Sequence, residues 1–261
     1  MTSRLSLDTV NLAYHSRRIV EDVNWAIPDG QFTAVLGPNA CGKSTLLRGI
    51  ARLMPVETGA VFLDGRDVTH LRTSEFAKQL GFLPQTQVLP EGLKVRDLVA
   101  RGRFSYQRFL AQWSSGDDEA VRRAMDWAGV AGLEGARVDE LSGGQRQRVW
   151  LATVLAQDPE IVLLDEPTTF LDLTHQLDVL ELLADLPKRG KTVVAVLHDI
   201  NLAARYASNV VVMSGGAIVA EGTPEEVITE GLMIEVFGVA ARICADPETG
   251  SPMVIPRRRS A

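Results

Sequence analysis

The stretch that most constrains this fold lies at residues 37–45, between an apolar run and a segment with apolar residues at helical spacing. Residues 32–36 before it are typical of a buried strand, and residues 46–50 after it are typical of a helix. The stretch itself consists of Gly37, Pro38, Asn39, Ala40, Cys41, Gly42, Lys43, Ser44 and Thr45. A glycine-bounded turn between a strand and a helix, closed by lysine and hydroxyl residues, is the pattern of a P-loop. Because its backbone N–H groups and the helix N-terminus would surround an anion, the sequence predicts a nucleotide phosphate here.

The two side chains that begin the helix define the chemistry expected at this loop. Lys43 would reach the β- and γ-phosphates with its ammonium group, and Ser44 would ligate Mg²⁺ through its hydroxyl. The P-loop therefore predicts a site for both a nucleotide and a magnesium ion.

Two carboxylates follow a second apolar run. Residues 161–164 are continuously apolar, as expected for a strand that is buried on both faces of a parallel sheet. Asp165 comes directly after this run and would hold Mg²⁺, and Glu166 is placed to polarise an attacking water as a general base. Such a pair often only caps a strand end, but in a chain with a P-loop it indicates hydrolysis.

A second glycine-containing turn precedes a predicted helix at residues 141–145. It contains Ser142, Gly143, Gly144 and Gln145 after a leucine. Glycines followed by a helix N-terminus make an anion-binding site, although Ser-Gly-Gly alone is an ordinary linker.

The order of these motifs along the chain is that of a known family. The P-loop, Gln85, residues 141–145, the pair Asp165 and Glu166, and then His198 follow one another as in the ATPase subunit of ATP-binding cassette (ABC) transporters. The chain resembles that subunit over nearly all of its 261 residues. The resemblance implies an α/β fold: a P-loop NTPase (RecA-like) core with an N-terminal antiparallel β subdomain and an inserted α-helical subdomain.

We expect a single ABC ATPase domain with three parts. Residues 1–86 and 159–240 would form the catalytic core with the antiparallel subdomain, and residues 87–158 would form the helical subdomain with the 141–145 motif. Residues 241–261 would be a C-terminal extension, and the proline and glycine residues between positions 246 and 261 are typical of a tail.

The resemblance also implies how ATP is held. Two copies pair head to tail in the ATP-bound state, and each ATP lies between the P-loop of one copy and residues 141–145 of the other. Ser142 and Gly144 would contact the γ-phosphate across this interface. Asp172 would lie in the loop that crosses it.

Three further residues resemble known functional positions of the family. His198 resembles the histidine that holds the γ-phosphate and the attacking water, and Gln85 resembles the glutamine that senses Mg²⁺ and that water. Tyr14 is placed like the aromatic residue that stacks on adenine. As an alternative, Tyr14 could be a core residue at the end of a strand.

Within the family, four segments resemble ATPases of bacterial importers for iron–siderophores, with haem and cobalamin importers close by. These segments are residues 81–85, 95–99, 102–108 and 167–176. That resemblance implies two integral-membrane permease subunits as partners, and indirectly an extracytoplasmic substrate-binding protein. It also implies a peripheral position on the cytoplasmic face of the inner membrane.

Other functions remain open at this point. A non-transport ABC ATPase of DNA repair or translation would carry a long coiled-coil insertion or a second cassette, and a P-loop kinase would phosphorylate a small molecule. An importer of another metal or an exporter subunit would share the same motifs. The motif at 141–145 and His198 argue against the kinase.

Composition limits the remaining classes. The net charge of −6 gives no general attraction to nucleic acid, so we expect no nucleic-acid partner. Neither a signal peptide nor an apolar run of membrane-spanning length is evident, so we expect a protein that is soluble when isolated. The two cysteines, Cys41 and Cys244, do not form a disulfide framework.

The sequence departs from the family at two places. Position 40 is usually glycine and is Ala40 here; if this residue needs a positive φ, alanine costs about 1 kcal/mol. Thr169 and Phe170 replace the commoner Ser-Ala, a variant that fits the iron-importer group.

Two surface regions are candidates for contacts with membrane components. The region 86–113 would form the cleft for a permease helix, with core packing as the alternative for each of its candidate residues. These candidates are Phe104, Tyr106, Phe109, Leu110 and Trp113. Residues 257–259, all arginine, would either contact anionic lipid or lie in a solvated tail.

Overall fold

The structure, a computed structural model, describes residues 3–15, 17–87, 91–106 and 113–258. The chain divides into two compact units. Unit 1 comprises Met1–His70 with Val193–Ala261, and unit 2 comprises Leu71–Thr192. The subdomain boundaries predicted at residues 87 and 158 stay a prediction.

The secondary structure follows the apolar patterns of the sequence. The strands are β1 (Leu5–Tyr14), β2 (Arg17–Ile27), β3 (Phe32–Leu36), β4 (Thr58–Leu63), β5 (Arg66–Asp67), β6 (Leu80–Leu83), β7 (Ile161–Asp165), β8 (Thr192–Val196), β9 (Asn209–Ser214), β10 (Ala217–Gly222), β11 (Ala241–Ala245) and β12 (Pro252–Pro256). The helices are α1 (Lys43–Ile50), α2 (Thr73–Gln79), α3 (Val95–Ala100), α4 (Ser115–Trp127), α5 (Gly143–Ala156), α6 (Leu173–Asp185), α7 (Ile200–Tyr206), α8 (Pro224–Val227) and α9 (Glu230–Glu235).

Unit 1 contains an antiparallel sheet at the N-terminus, in the order β2-β1-β4-β5. Its central strand β1 pairs Leu5 with Ile27 on one side and with Leu63 on the other. The apolar side chains that alternate along β1 are buried, which confirms the predicted antiparallel β subdomain.

Unit 1 also contains parallel strands that position the P-loop. β3 pairs in parallel with both β8 and β9, and β10 continues the sheet antiparallel to β9. All residues of β3 and β8 are buried, as expected for parallel strands whose sequences are apolar except for one threonine in each. Because parallel strands end at the same edge, the P-loop after β3 and His198 after β8 both leave that edge of the sheet.

Unit 2 combines two parallel strands with most of the helices. β6 pairs in parallel with β7, from Leu80 opposite Ile161 to Leu83 opposite Leu164. Helices α3, α4 and α5 pack on one another. A 3₁₀ helix at residues 101–106 follows α3, and its Arg103 is paired with Asp117 of α4 at 2.9 Å while both side chains are about 10% exposed. The helices predicted between β6 and β7 are therefore confirmed.

The C-terminal segment is a folded part of unit 1, which the sequence analysis did not predict. β11 and β12 form an antiparallel hairpin in the region that we expected to be an extension ending in a tail. Its Ala241 and Val254 join a buried cluster with Ala204, Ile228 and Met233. The carboxylate of Asp246, between the strands, pairs at 2.5 Å with Arg205 of α7.

The arginines at the end of the chain begin where this hairpin ends. Arg257 donates from its backbone N–H to Ala240 and lies 3.4 Å from the carboxylate of Glu230. Arg258 is exposed, and Arg259 lies outside the described residues. Arg257 is thus attached to the folded body. Among the helices in the described ranges, none has both the length and the apolar character needed to cross a bilayer.

Candidate functional site

Two glycines shape the P-loop because the space around them admits no side chain. Gly37 has φ +147°, and a Cβ there would lie 2.2 Å from the carbonyl oxygen of Met213. Gly42 has φ +107° and caps α1, and its Cβ would lie 2.8 Å from the carbonyl oxygen of Ile19. Both positions need the left-handed region, which glycine reaches without steric cost. The glycines therefore fix the turn that the sequence predicts.

Lys43 lies along this turn. Its side chain is buried, and Nζ donates to the carbonyl oxygens of Gly37 and Pro38, each at 2.8 Å. Ser44 is half-buried and Thr45 is buried in the same first turn of α1. The ammonium group and the helix N-terminus thus belong to one loop, as a phosphate site requires.

Ala40 adopts the conformation that the sequence analysis named as costly. Its φ is +61°, in the left-handed region, and the residue is exposed, as is Asn39. Its neighbour Cys41 is buried, with Sγ 3.9 Å from Nζ of Lys43. The strain at Ala40 is therefore located in the turn of the P-loop, where the carbonyl of Cys41 accepts a hydrogen bond from Gly216.

Tyr14 and His198 are the other predicted residues in unit 1. Tyr14 ends β1 with 45% of its surface exposed, and its hydroxyl lies 3.4 Å from Nη1 of Arg48. This exposure excludes the alternative of a core residue. His198 is exposed two residues after the end of β8, and Asp199 then caps α7 by accepting from the backbone of Leu202.

In unit 2 the structure brings two predicted catalytic residues together. Nε2 of Gln85 donates to Oε2 of Glu166 at 2.6 Å, although the two residues are 81 positions apart. Thr169 donates from Oγ1 to the same oxygen at 3.0 Å. Glu166 has φ +55°, so the chain turns sharply after β7, where the preceding Asp165 is fully buried. The carboxylate of Glu166 is therefore oriented by two donors.

The segment 141–145 forms the start of α5. Ser142 caps this helix, and its Oγ accepts from the backbone N–H of Gln145 while Oε1 of Gln145 accepts from the backbone of Ser142. Gly143 and Gly144 form the first turn, and the ring of His175 covers Gly144. Asp172 caps α6 and lies 2.6 Å from that ring.

The residues predicted to hold Mg²⁺ supply the ligand types that this ion prefers. Ser44 offers a hydroxyl, Asp165 a carboxylate and Gln85 an amide oxygen, all hard oxygen donors. Within the described ranges, no three histidine, cysteine or acidic side chains gather as a complete metal cage. This donor set fits an ion that keeps phosphate oxygens and waters among its ligands.

Two side chains of this region were not predicted from the sequence. Thr169 was noted only as a family variant, and its bond to Glu166 was not predicted. His175 was not singled out at all. The helix-cap spacing from Asp172 to residue 175 was the one available signal, and it predicts a backbone contact but not a ring position.

Comparisons with known proteins show the family to which the chain is similar. The family described as ABC transporter matches residues 20–169. The probable siderophore transport system ATP-binding protein YusV of Bacillus subtilis (strain 168) is 49% identical over 98% of this chain and 94% of its own length. The ferric enterobactin transport ATP-binding protein FepC of Escherichia coli (strain K12) is 46% identical over 99% of this chain and 96% of its own.

A solved structure extends the likeness to three dimensions. The dimeric post-hydrolysis state of the ATP-binding cassette MJ0796, bound to ADP and Pi, superposes with a TM-score of 0.73 and is 29% identical. The match covers 84% of this chain and 98% of that cassette. The P-loop NTPase fold is thereby confirmed. This chain belongs to the ABC transporter family, as a nucleotide-binding subunit that hydrolyses ATP.

Proposed function

We propose that this chain is the ATPase that powers import of a ferric siderophore, or a related iron chelate, through a membrane permease. The relatives named for siderophore and ferric enterobactin transport support the substrate class, because they align along nearly the whole chain. One geometric observation supports the hydrolytic role most directly. Oε2 of Glu166 accepts hydrogen bonds from Gln85 and Thr169, which orients a general base.

The proposed hydrolysis uses the residues of the P-loop and of the Glu166 region. The backbone of the P-loop and Lys43 bind the phosphates, and His198 holds the γ-phosphate with the attacking water. As the water oxygen bonds to the γ-phosphorus, the bond from phosphorus to the ADP oxygen breaks and Glu166 accepts the proton of the water. The products are ADP and phosphate. No residue of the chain becomes covalently modified.

Magnesium, when bound, would neutralise charge on the phosphates. Ser44, Asp165 and Gln85 would hold it. Nε2 of Gln85 donates to Glu166. The amide oxygen of Gln85 is therefore the atom that would ligate the ion. Gln85 would thus join the metal to the base through the two ends of one amide.

A second copy of the chain would complete the nucleotide site. The dimeric relative bound to ADP and Pi supports this arrangement. Ser142, Gly143, Gly144 and Gln145 would face the γ-phosphate bound to the partner copy, and Asp172 would lie at the interface. Because ATP contacts both copies and ADP loses the γ-phosphate contact, hydrolysis favours separation.

A groove in unit 2 is the proposed contact with the permease, which would keep the chain at the cytoplasmic face of the inner membrane. The groove has a volume of about 540 Å³ and is lined by apolar side chains that include Phe82, Leu83, Phe104, Trp150 and Val154. Phe104 is 63% exposed there, which is typical of a site for an amphipathic helix.

The other candidate residues for the permease contact have different environments in the structure. Tyr106 packs its ring on the guanidinium of Arg103 at 3.7 Å, and so serves internal packing. Trp113 is 41% exposed. Phe109 and Leu110 lie outside the described residues.

Uptake of radioactive iron tests the function. A strain without this gene should fail to take up iron from one or more purified ferric siderophores, and the wild-type gene should restore uptake. A gene that encodes Glu166→Gln should not restore it, whereas His70→Ala, on the exposed surface of unit 1, should. Undiminished uptake from every ferric siderophore would contradict the substrate class. If the deletion strain failed to take up iron only from haem, the substrate would be haem and not a ferric siderophore.

The proposed groove has its own test. Phe104→Ala should abolish co-purification with the permease and iron uptake, while ATP hydrolysis by the isolated chain stays unchanged. Ile234→Ala removes a similarly exposed apolar side chain from unit 1 and should change neither. Normal co-purification of the Phe104 variant would place the permease contact elsewhere.

A further inference from the structure

The N-termini of two helices in unit 2, α5 and α6, meet through one imidazole ring. We propose that His175 is a positioning residue that holds residues 141–145 in the form that receives the nucleotide of the second copy. This inference rests on the proposed function, because it assumes that residues 141–145 bind ATP across a dimer interface.

The first observation is the contact between His175 and Gly144. A Cβ at Gly144 would lie 2.2 Å from Cδ2 and 2.4 Å from Cγ of the imidazole ring. Real Cβ atoms do not approach other atoms so closely, so only glycine fits beneath this ring. Gly144 is buried, although Ser142 and Gly143 beside it are exposed. The ring therefore covers the inner side of the turn and leaves its outer side open.

The second observation is the bond that orients the ring. Nδ1 of His175 lies 2.6 Å from Oδ1 of Asp172, and the backbone N–H of His175 donates to the same oxygen at 3.0 Å. These two hydrogen bonds hold the pKa of Asp172 below its ordinary value. An ionised carboxylate only accepts, so Nδ1 carries the proton. Asp172 thus fixes both the tautomer and the direction of the ring.

The third observation connects this ring to the region of the general base. Thr169, three residues before Asp172, donates to Glu166 at 3.0 Å. Thr169 and Asp172 belong to one short loop between β7 and α6. The loop that orients the base of one ATP site therefore also holds, through His175, the turn that would contact the other ATP. A displaced ring would leave Gly144 unsupported while the P-loop in unit 1 stays intact.

ATP-dependent dimerisation tests the role of His175. In a Glu166→Gln chain, which keeps ATP unhydrolysed, size-exclusion chromatography gives the MgATP concentration for half-maximal dimer. We expect His175→Ala to raise this concentration about tenfold, because a displaced turn would lose one hydrogen-bonded contact to the charged γ-phosphate of the ATP on the second copy. His175→Asn keeps a donor near Asp172 but loses the ring, and we expect a similar rise. His70→Ala is the matched control and should cause no shift.

A second measurement separates positioning from misfolding. Binding of a fluorescent ATP analogue to the monomer depends on the P-loop and should be equal in all variants. The inference would be overturned if either His175→Ala or His175→Asn reached half-maximal dimer at the same MgATP concentration as the parent chain. Failure of the parent Glu166→Gln chain to dimerise with MgATP would instead contradict the proposed function.

Discussion

Gln85 and Glu166 are joined by a hydrogen bond of 2.6 Å from Nε2 to Oε2. Thr169 donates to the same oxygen, so the carboxylate has a defined orientation before any water approaches it. A base that is already oriented loses little conformational freedom in the reaction. Substitution of Glu166, Gln85 and Thr169 one at a time can therefore distinguish the base from the two side chains that orient it.

Glu166→Gln should stop hydrolysis and leave ATP bound. The amide has the size of the carboxylate but cannot accept the proton of the water, so we expect kcat to fall by about 10²–10⁴-fold. ATP would then hold two copies together, and gel filtration with MgATP should show a stable dimer. Hydrolysis at the wild-type rate would remove Glu166 from the role of general base.

Gln85→Ala should slow hydrolysis less than loss of the base itself. The variant removes one of two donors to Oε2, and we expect kcat to fall about tenfold with little change in KM for ATP. Thr169→Val removes the other donor with almost the same volume and leaves the proposed Mg²⁺ ligand Gln85 in place, so its kcat should fall no further than that of Gln85→Ala. Steady-state ATPase assays of both single variants and of the double variant test this prediction. If both single variants kept the wild-type kcat, these two hydrogen bonds would not be what orients Glu166.

Ala40→Gly should stabilise the chain. Ala40 has φ +61°, where alanine costs about 1 kcal/mol relative to glycine. For a chain of this size, that corresponds to a rise in Tm of roughly 2–4 °C. Ala131→Gly is the control, because this exposed alanine is not among the residues with positive φ, and glycine there should lower Tm. An equal effect of both variants would argue against strain in the P-loop.

Asp117→Asn should destabilise the fold in a pH-dependent manner. Hydrogen bonds from the Ser114 hydroxyl and from Arg103 hold the pKa of Asp117 below its ordinary value. Its stabilisation is therefore complete above the unfolded pKa, about 3.9, and is lost as the pH falls through the lower folded value. We expect a loss of about 2 kcal/mol at pH 7 that shrinks below about pH 4, measured by urea unfolding.

An exposed pair provides the control for this measurement. Asp118 lies 2.6 Å from Arg96, but both side chains are nearly half exposed. Asp118→Asn should therefore change the free energy of unfolding by less than about 1 kcal/mol. If Asp118→Asn lowered the free energy of unfolding at pH 7 as much as Asp117→Asn, burial would not explain the difference expected between the two ion pairs.

The sequence predicted the elements that have a simple apolar period. Phe32–Leu36 is apolar except for Thr33, and residues 161–164 are continuously apolar; both segments lie in fully buried strands. The hairpin of β11 and β12 was missed because Gly250, Pro252 and Pro256 are typical of turns. Proline is tolerated on an edge strand, and both strands of a two-stranded sheet are edges.

The site was predictable where its chemistry follows from neighbouring residues in the chain. The P-loop and the pair Asp165 and Glu166 are such cases. The hydrogen bond from Gln85 to Glu166 joins residues that are 81 positions apart. The position of the His175 ring over Gly144 depends on how two helices pack. Neither contact has a local sequence pattern, so each required the folded structure.

The hairpin of β11 and β12 has a practical consequence for producing shorter versions of this protein. A chain cut after Ala240 would leave Ala204 and Met233 in contact with water and would separate Arg205 from Asp246. Helix α7 begins two positions after His198, and Asn201 within it exchanges hydrogen bonds with Val254. Such a truncation would aggregate during purification, and any loss of activity would reflect a poorly anchored α7.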